Sequence, residues 1–372
     1  MIENQYVRSS LRRVRKRLRA SLHKAREVPP ASLRKARELF PYPRVWAVIS
    51  ATRRPSASIT GRHTALVRPE GLAFSGTGDL MVVSNSDGNT VTIYSRGDEL
   101  QGFFHGEPCG MLTDAIKLNF VHDVALSPCG KMLAVAARED HSVSIFMRSK
   151  TQPNTFEAKP AWTIRGVASR LRFPAGVSFH PGGECLAVTN RQNSGITLFR
   201  IRRERDGCSI DFVPFQTISE SDLLPLGLAA PHGVTFSPDG AFLMATHKRF
   251  YKTRNPDGAS ALTCFRWHTT PDLGLDPVPI YTALRGNSCL HSVAFHPSGR
   301  FFALTDESAD VEVFEWRPQE LSVRQVDRIS IFRCGHSEGP KGVAFTSDGK
   351  QLAVTTVCDQ VLSFSNWGHD KS

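Results

Sequence analysis

Six stretches of the chain repeat one pattern of apolar and polar positions. They are PEGLAFSGTGDLMVVSN (69–85), VHDVALSPCGKMLAVAA (121–137), PAGVSFHPGGECLAVTN (174–190), PHGVTFSPDGAFLMATH (231–247), LHSVAFHPSGRFFALTD (290–306) and PKGVAFTSDGKQLAVTT (340–356). The matching positions Phe74, Leu126, Phe179, Phe236, Phe295 and Phe345 are 52, 53, 57, 59 and 50 residues apart. Each copy opens with alternating small and large apolar residues. A Ser-Pro-Asp-Gly-like turn follows, as at 237–240, where Pro presets φ and Gly accepts φ > 0. A short apolar run such as Leu186-Ala187-Val188 completes the copy. The pattern predicts two strands joined by a tight turn.

A third strand is predicted after every copy, at TVTIY (90–94), SVSIF (142–146), GITLF (195–199), ALTCF (261–265), VEVFEW (311–316) and VLSF (361–364). A weaker fourth lies at AWTIRG (161–166), VPIYTALRG (278–286) and DRISIFRCG (327–335). Four antiparallel strands per unit of about 50 residues is the blade of a β-propeller. The expected fold is all-β: a six-bladed β-propeller over 46–372 with a basic α-helical N-terminal extension over 1–45. The last copy has only three strands, and a propeller must close its ring or leave sheet edges unpaired. Fourth strands lie about 11 residues before the next copy's glycine, which places a closing strand at ASITG (57–61). The alternatives are that 46–60 is linker, or belongs to a degenerate seventh blade around VWAVIS (45–50).

The GVAFSPDGxxLAVT pattern resembles bacterial propeller repeats of the lactonase, YVTN and WD40-like superfamily, over about 69–367. No copy ends in Trp-Asp, and the spacing exceeds the roughly 40–45 residues of WD40 repeats. The resemblance implies the fold. It leaves function open, because these families contain scaffolds, binders and hydrolases.

Charge changes the picture. Over 372 residues the net charge is +11, with 40% hydrophobic and 22% charged residues. Residues 1–45 hold 13 Lys/Arg against 3 Glu, so the extension carries +10 and the body +1. An argument from global pI to nucleic-acid binding fails for the body. The extension duplicates ASLHKAREVPP (20–30) as ASLRKARELFP (31–41), and Leu11, Val14, Leu18, Leu22 and Ala25 share one helical face. Its open readings are a solvated extension, a transit peptide, a polyanion or acidic partner bound without sequence-specific nucleic-acid readout, or an anionic membrane surface. No apolar run approaches the 18 residues that would span a bilayer, Val45–Ile49 being far too short, and the N-terminus lacks a secretory pattern. Eight scattered cysteines without a CxxC pair read as reduced thiols. The expected location is cytoplasmic, with peripheral membrane contact through the tail.

Chemistry is expected where the first strands start and the second strands end, around the axis. The first ring reads Glu70, His122, Ala175, His232, His291 and Lys341. Fifteen residues on, a second ring reads Asn85, Ala137, Asn190, His247, Asp306 and Thr356. Neutral imidazoles beside a carboxylate suit zinc, iron or copper, so Glu70, His122, His232 and His291 are candidate ligands of one divalent metal ion on the axis. Asn85, Asn190, His247, Asp306 and Lys341 are candidate ligand-binding residues at the channel mouth. The resemblance adds a hint: gluconolactonase-like propellers hold an axial metal with Glu, Asn and Asp, which implies comparable places for Glu70, Asn190 and Asp306. Blade four carries an insertion, HKRFYKTRNPDGAS (247–260), whose Arg249 and Tyr251 are expected to overhang the same face, suiting an anionic ligand or acidic partner. The long segment 97–120, with Phe103, Phe104 and His105, is expected there too. No phosphate-binding glycine loop, GxSxG elbow or HExxH is present. The expected function is a binding or interaction module recruited by its basic tail. The alternative is a metal-dependent hydrolase of lactonase type.

Overall fold

The computed structural model describes residues 54–97, 103–113, 118–204, 207–226, 228–248, 260–269, 273–285, 288–307, 310–331 and 339–365. The expected helical extension, and Arg249 and Tyr251, lie outside the described residues. Six antiparallel sheets follow one another. In blade one the strands are Pro69–Phe74, Leu80–Asn85, Thr90–Ser95 and Gly110–Leu112. The other fourth strands are Trp162–Ile164, Gln216–Ile218, Tyr281–Arg285 and Ser322–Ser330. That of blade six is Ala57–Thr60, which pairs antiparallel with Gln360–Ser365 through Ile59↔Val361 and Thr60↔Gln360. The ring therefore closes where the repeat spacing placed it, with the chain's earlier strand completing its last blade.

The six turns between first and second strands obey one rule. Each has a glycine with positive φ: Gly78 at 75°, Gly130 at 68°, Gly183 at 79°, Gly240 at 74°, Gly299 at 71° and Gly349 at 70°. This conformation costs other L-residues energy and explains the glycine's recurrence. Six apolar clusters fill the seams between neighbouring blades. The last joins Ile59, Met81, Val83, Tyr94 and Val361, and so seals blade six against blade one. Phe103 and Phe104 belong to this seam. Phe104 packs 5.4 Å from the Phe74 ring, and Gly97 N–H bonds Phe103 C=O. The expectation that 103–105 enters the ring face is corrected: the third strand ends on the side of the glycine turns, and these residues stay there.

Each first strand contacts that of the next blade, and the sixth contacts the first. A repeated hydroxyl clasp fixes this inner wall. Ser84, Thr189, Thr246, Thr305 and Thr355 each accept a bond from an N–H of their own first strand, at Gly71, Gly176, Gly233, Ser292 and Gly342. Each also donates to the carbonyl of the next blade's ring residue: His122, His232, His291, Lys341 or Glu70. Replacing Thr246 by Val orphans the Gly233 N–H, whereas the His291 carbonyl keeps its bond from His232 Nδ1–H. Thr246→Val is expected to destabilise the protein by about 1–3 kcal/mol, read as a lower urea midpoint at unchanged m-value.

Candidate functional site

In all six blades the first strand carries a bulge at the ring position. In blade one Pro69 opposes Asn85 and Leu72 opposes Val83, so Glu70 and Gly71 together face Ser84. The same irregularity recurs in blades two to six. A bulge re-aims the side chain it carries, here toward the axis. The residue before three of these strands, and before Pro69, is also held at positive φ although it is not glycine: Arg68 at 50°, Phe120 at 54°, Phe173 at 52° and Ala230 at 47°. Such conformations cost about 1–3 kcal/mol each and cluster at functional sites.

His122, His232 and His291 meet at the axis. One ring nitrogen of each lies within 4.8 Å of the others, and all three residues are buried. Ring centroids are 4.6 Å apart for His122–His232 and 4.3 Å for His232–His291. His122 Nδ1–H donates to Ala175 C=O at 2.8 Å, and His232 Nδ1–H donates to His291 C=O at 3.1 Å. Both bonds leave an Nε2 lone pair available, the outer-shell arrangement that orients metal-binding imidazoles. Blade two shows why His122 is recruited. Its clasp position is Ala136, which has no hydroxyl, and the Ala175 carbonyl takes the imidazole N–H instead. His291 Nε2 lies 2.9 Å from Glu70 Oε2.

The axial pocket, open on one side, has a volume of about 10 Å³, room for one ion or water, with walls from all six blades. Burial pushes His122 down to about 3, with Glu70 opposing, and it lowers His232 and His291 as well. The imidazoles are therefore neutral, as metal ligation requires. Glu70 is held down to about 2. Burial alone would raise it, but the hydrogen bond from His291 and the Lys341 ammonium pull it down.

Two neighbours were not singled out from the sequence. Asp123 stands where the other blades have Gly71, Gly176, Gly233, Ser292 and Gly342. It lines the cavity, accepts a bond from Val177 N–H, and is pushed up to about 7 by burial. Glu307 Oε1 accepts bonds from both Lys248 Nζ and Lys341 Nζ at 2.6 Å and lies 3.5 Å from His291 Nε2. Lys341 is thus paired with a carboxylate one residue beyond the second ring.

The second ring has a different task. Asn85 Oδ1 accepts from Val67 N–H, Asn190 Oδ1 from Arg172 N–H, and Asp306 Oδ1 from Cys289 N–H. His247 Nε2 meets Thr263 Oγ1 at 3.0 Å. These side chains tie the incoming loop to the second strand and are not assembled on the axis. The implied Glu70–Asn190–Asp306 metal set is therefore not brought together. The seven described cysteines are free thiols. Among the described residues, no helix is long and apolar enough to cross a membrane.

The buried histidines set a pH dependence for the metal-free protein. Unfolded histidines protonate near 6.5, whereas folded His122, His232, His247 and His291 resist protonation. Below that pH the unfolded chain binds more protons, so stability falls as pH drops from about 6.5. Asp123 works oppositely: its stabilising share is full below its unfolded value and is lost as pH rises through about 7. Four histidines outweigh one acid. The urea midpoint is expected to be lower at pH 5 than at pH 7; an equal or higher midpoint contradicts neutral buried imidazoles.

No protein-family model matches the chain, and no curated protein sequence matches it. Solved structures share its fold. Hydrazine synthase of Kuenenia stuttgartiensis matches with a TM-score of 0.51 at 15% identity, over 83% of this chain and 99% of that one. A putative 6-phosphogluconolactonase from Bacteroides uniformis matches at 0.52 and 17%, over 78% of each chain. The β-propeller domain of Myceliophteria thermophila Cps50 (Swd1) matches at 0.52 and 11%, over 84% of this chain and 99% of that one. At these identities the likeness speaks for the propeller fold.

Proposed function

We propose that this chain is a propeller-scaffolded binding module whose ligand site is the axial mouth, with one divalent transition metal held by His122, His232 and His291. The observation that carries this reading is the convergence of three neutral, buried imidazoles, two with their Nδ1–H groups anchored on backbone carbonyls. Tetrahedral ligation at about 2.1 Å would bring the nitrogens about 3.4 Å apart, a contraction that small ring rotations can supply from a spread of at most 4.8 Å. Glu70 orients His291 and offsets the metal's charge. Ala175 contributes only a methyl group to the ring, leaving room for an exogenous ligand beside the metal.

A second reading, a metal-dependent hydrolase, draws support from the Asp123 carboxyl in the same cavity, a group able to exchange a proton with bound water. The cavity's small volume favours binding over turnover. A protein partner on this face, a polyanion or anionic membrane at residues 1–45, and a cytoplasmic setting belong to the same proposal. The charge of residues 1–45 supports the polyanion or membrane contact, and a propeller neighbour found in a complex, the mitotic checkpoint complex, supports a protein partner. The test is a cobalt(II) titration of metal-free protein. One equivalent should produce the visible bands of a nitrogen-ligated, low-coordinate site, lost in His232→Ala. Absence of those bands in the wild type would remove the metal from the reading.

A further inference from the structure

Away from the axis, the glycine turn of blade two departs from the repeat. Where the other copies have Thr77, Gly182, Asp239, Ser298 and Asp348, blade two has Cys129, and its second strand opens on Met132. The turn is built to seat an anion at this position. Asp239 Oδ1 accepts from the Ser237 hydroxyl at 2.5 Å and from Ala241 N–H at 3.0 Å. Asp348 Oδ1 accepts from the Thr346 hydroxyl at 2.6 Å and from Lys350 N–H at 3.0 Å. Cys129 occupies the same seat, its Sγ 3.5 Å from Ser127 Oγ and bonded by the Lys131 backbone. As a thiolate it can take both donors, as the carboxylates do. Burial raises the thiol, but the Ser127 hydroxyl, the Lys131 N–H and the Lys131 ammonium outweigh burial and hold it below its ordinary range. Cys129 is also exposed, the setting of a reactive sulfur.

Two further sulfur atoms approach this turn. The third strand of blade three, Gly195–Glu204, runs past its partner strand and returns as Gly207–Ile210. That hairpin carries Cys208 across to blade two, where its Sγ lies 3.4 Å from Met132 Sδ. Met132 is buried in the seam between the two blades, and half-buried Cys208 packs against the same cluster. Ser127 joins the parts: its hydroxyl oxygen accepts Met132 N–H at 3.0 Å while facing Cys129. Cys208 lies within the field of Cys129. Burial first, then a charge on Cys129, raises the Cys208 thiol. Packing alone does not call for sulfur here, because Leu80 and Phe242 fill the position of Met132 in blades one and four.

We propose that Cys129, Met132 and Cys208 form a binding site for one copper(I) ion, in the seam between blades two and three on the side of the glycine turns. Thiolates and thioethers together select copper(I), whereas zinc sites draw on thiolate, imidazole and carboxylate. Cys129 binds in the form its seat favours, and Cys208 gives up its proton on binding, as a coordinating thiol does. Selection rests on the softness of sulfur rather than on net charge. The site uses none of the axial residues and stands or falls independently of a metal among the histidines.

The experiment is an anaerobic titration of the reduced full chain with copper(I) against a chromophoric copper(I) chelator. The readout is the near-ultraviolet thiolate-to-copper absorption, which imidazole ligation does not produce. It should saturate at one sulfur-bound ion per chain and survive excess zinc. Cys129→Ser and Cys208→Ser should each weaken binding by about 100-fold, and Met132→Leu, which keeps the volume, by about 10-fold. Cys129 is exposed, so the urea midpoint of Cys129→Ser without copper should equal that of the wild type, which separates loss of a ligand from loss of the fold. Absorption retained in full by either cysteine variant, displacement by zinc, or no thiolate-to-copper absorption in the reduced wild type would overturn the proposal.

Discussion

A chain beginning at His63 is expected to be less stable than one beginning at Pro55 by about 5 kcal/mol. The shorter chain lacks Ala57–Thr60, the fourth strand of blade six. Ile59 is 2% exposed, and burying such a side chain contributes roughly 2–3 kcal/mol. Each lost backbone pair adds about 1 kcal/mol net, and Ser56 adds two further bonds to Ser363 C=O, from its N–H and its hydroxyl. The unpaired edge of Gln360–Ser365 would then invite association between molecules. Urea unfolding of the two truncations, with sedimentation to detect association, checks this. A difference below about 1 kcal/mol would mean that the ring does not depend on this strand.

The three histidines should separate by what else each holds. Removing any one is expected to weaken divalent metal binding at least 100-fold, because a site with two imidazoles loses a third of its protein ligands. Stability without metal should divide them. His122→Ala also removes the N–H that Ala175 C=O accepts, in the blade whose clasp hydroxyl is missing at Ala136. Its expected cost is about 1–3 kcal/mol. His232→Ala leaves the His291 carbonyl with the Thr246 hydroxyl, so its cost should be smaller. Equal losses in the two variants would contradict the assignment of His122 as a substitute clasp.

The blades were legible because each repeats the same alternation and the same turn glycine. Even the closing strand followed, since a ring with three strands in its last blade has one place to find a fourth. The first ring was legible for the same reason. Spacing locates a residue along a strand and does not say where its side chain points. A bulge turns Glu70, His122, His232 and His291 to the axis, whereas Asn85, Asn190 and Asp306, one strand further out, reach back to loop N–H groups. Asp123 was visible in principle as the one acid at a position otherwise Gly or Ser. Glu307 sits one residue past the aligned copies, and its register emerges only when each copy is extended by that residue.

We propose one divalent ion among His122, His232 and His291. Zinc titration of chelator-treated wild-type protein against the His232→Ala, His291→Ala double variant, with elemental analysis after gel filtration, tests it most directly. The predicted result is one zinc per wild-type chain, retained at pH 7.5, weakened as pH falls through about 6.5, where proton competition for free imidazole sets in, and absent from the double variant. Sub-stoichiometric zinc in the wild type, or equal retention by the variant, would contradict it.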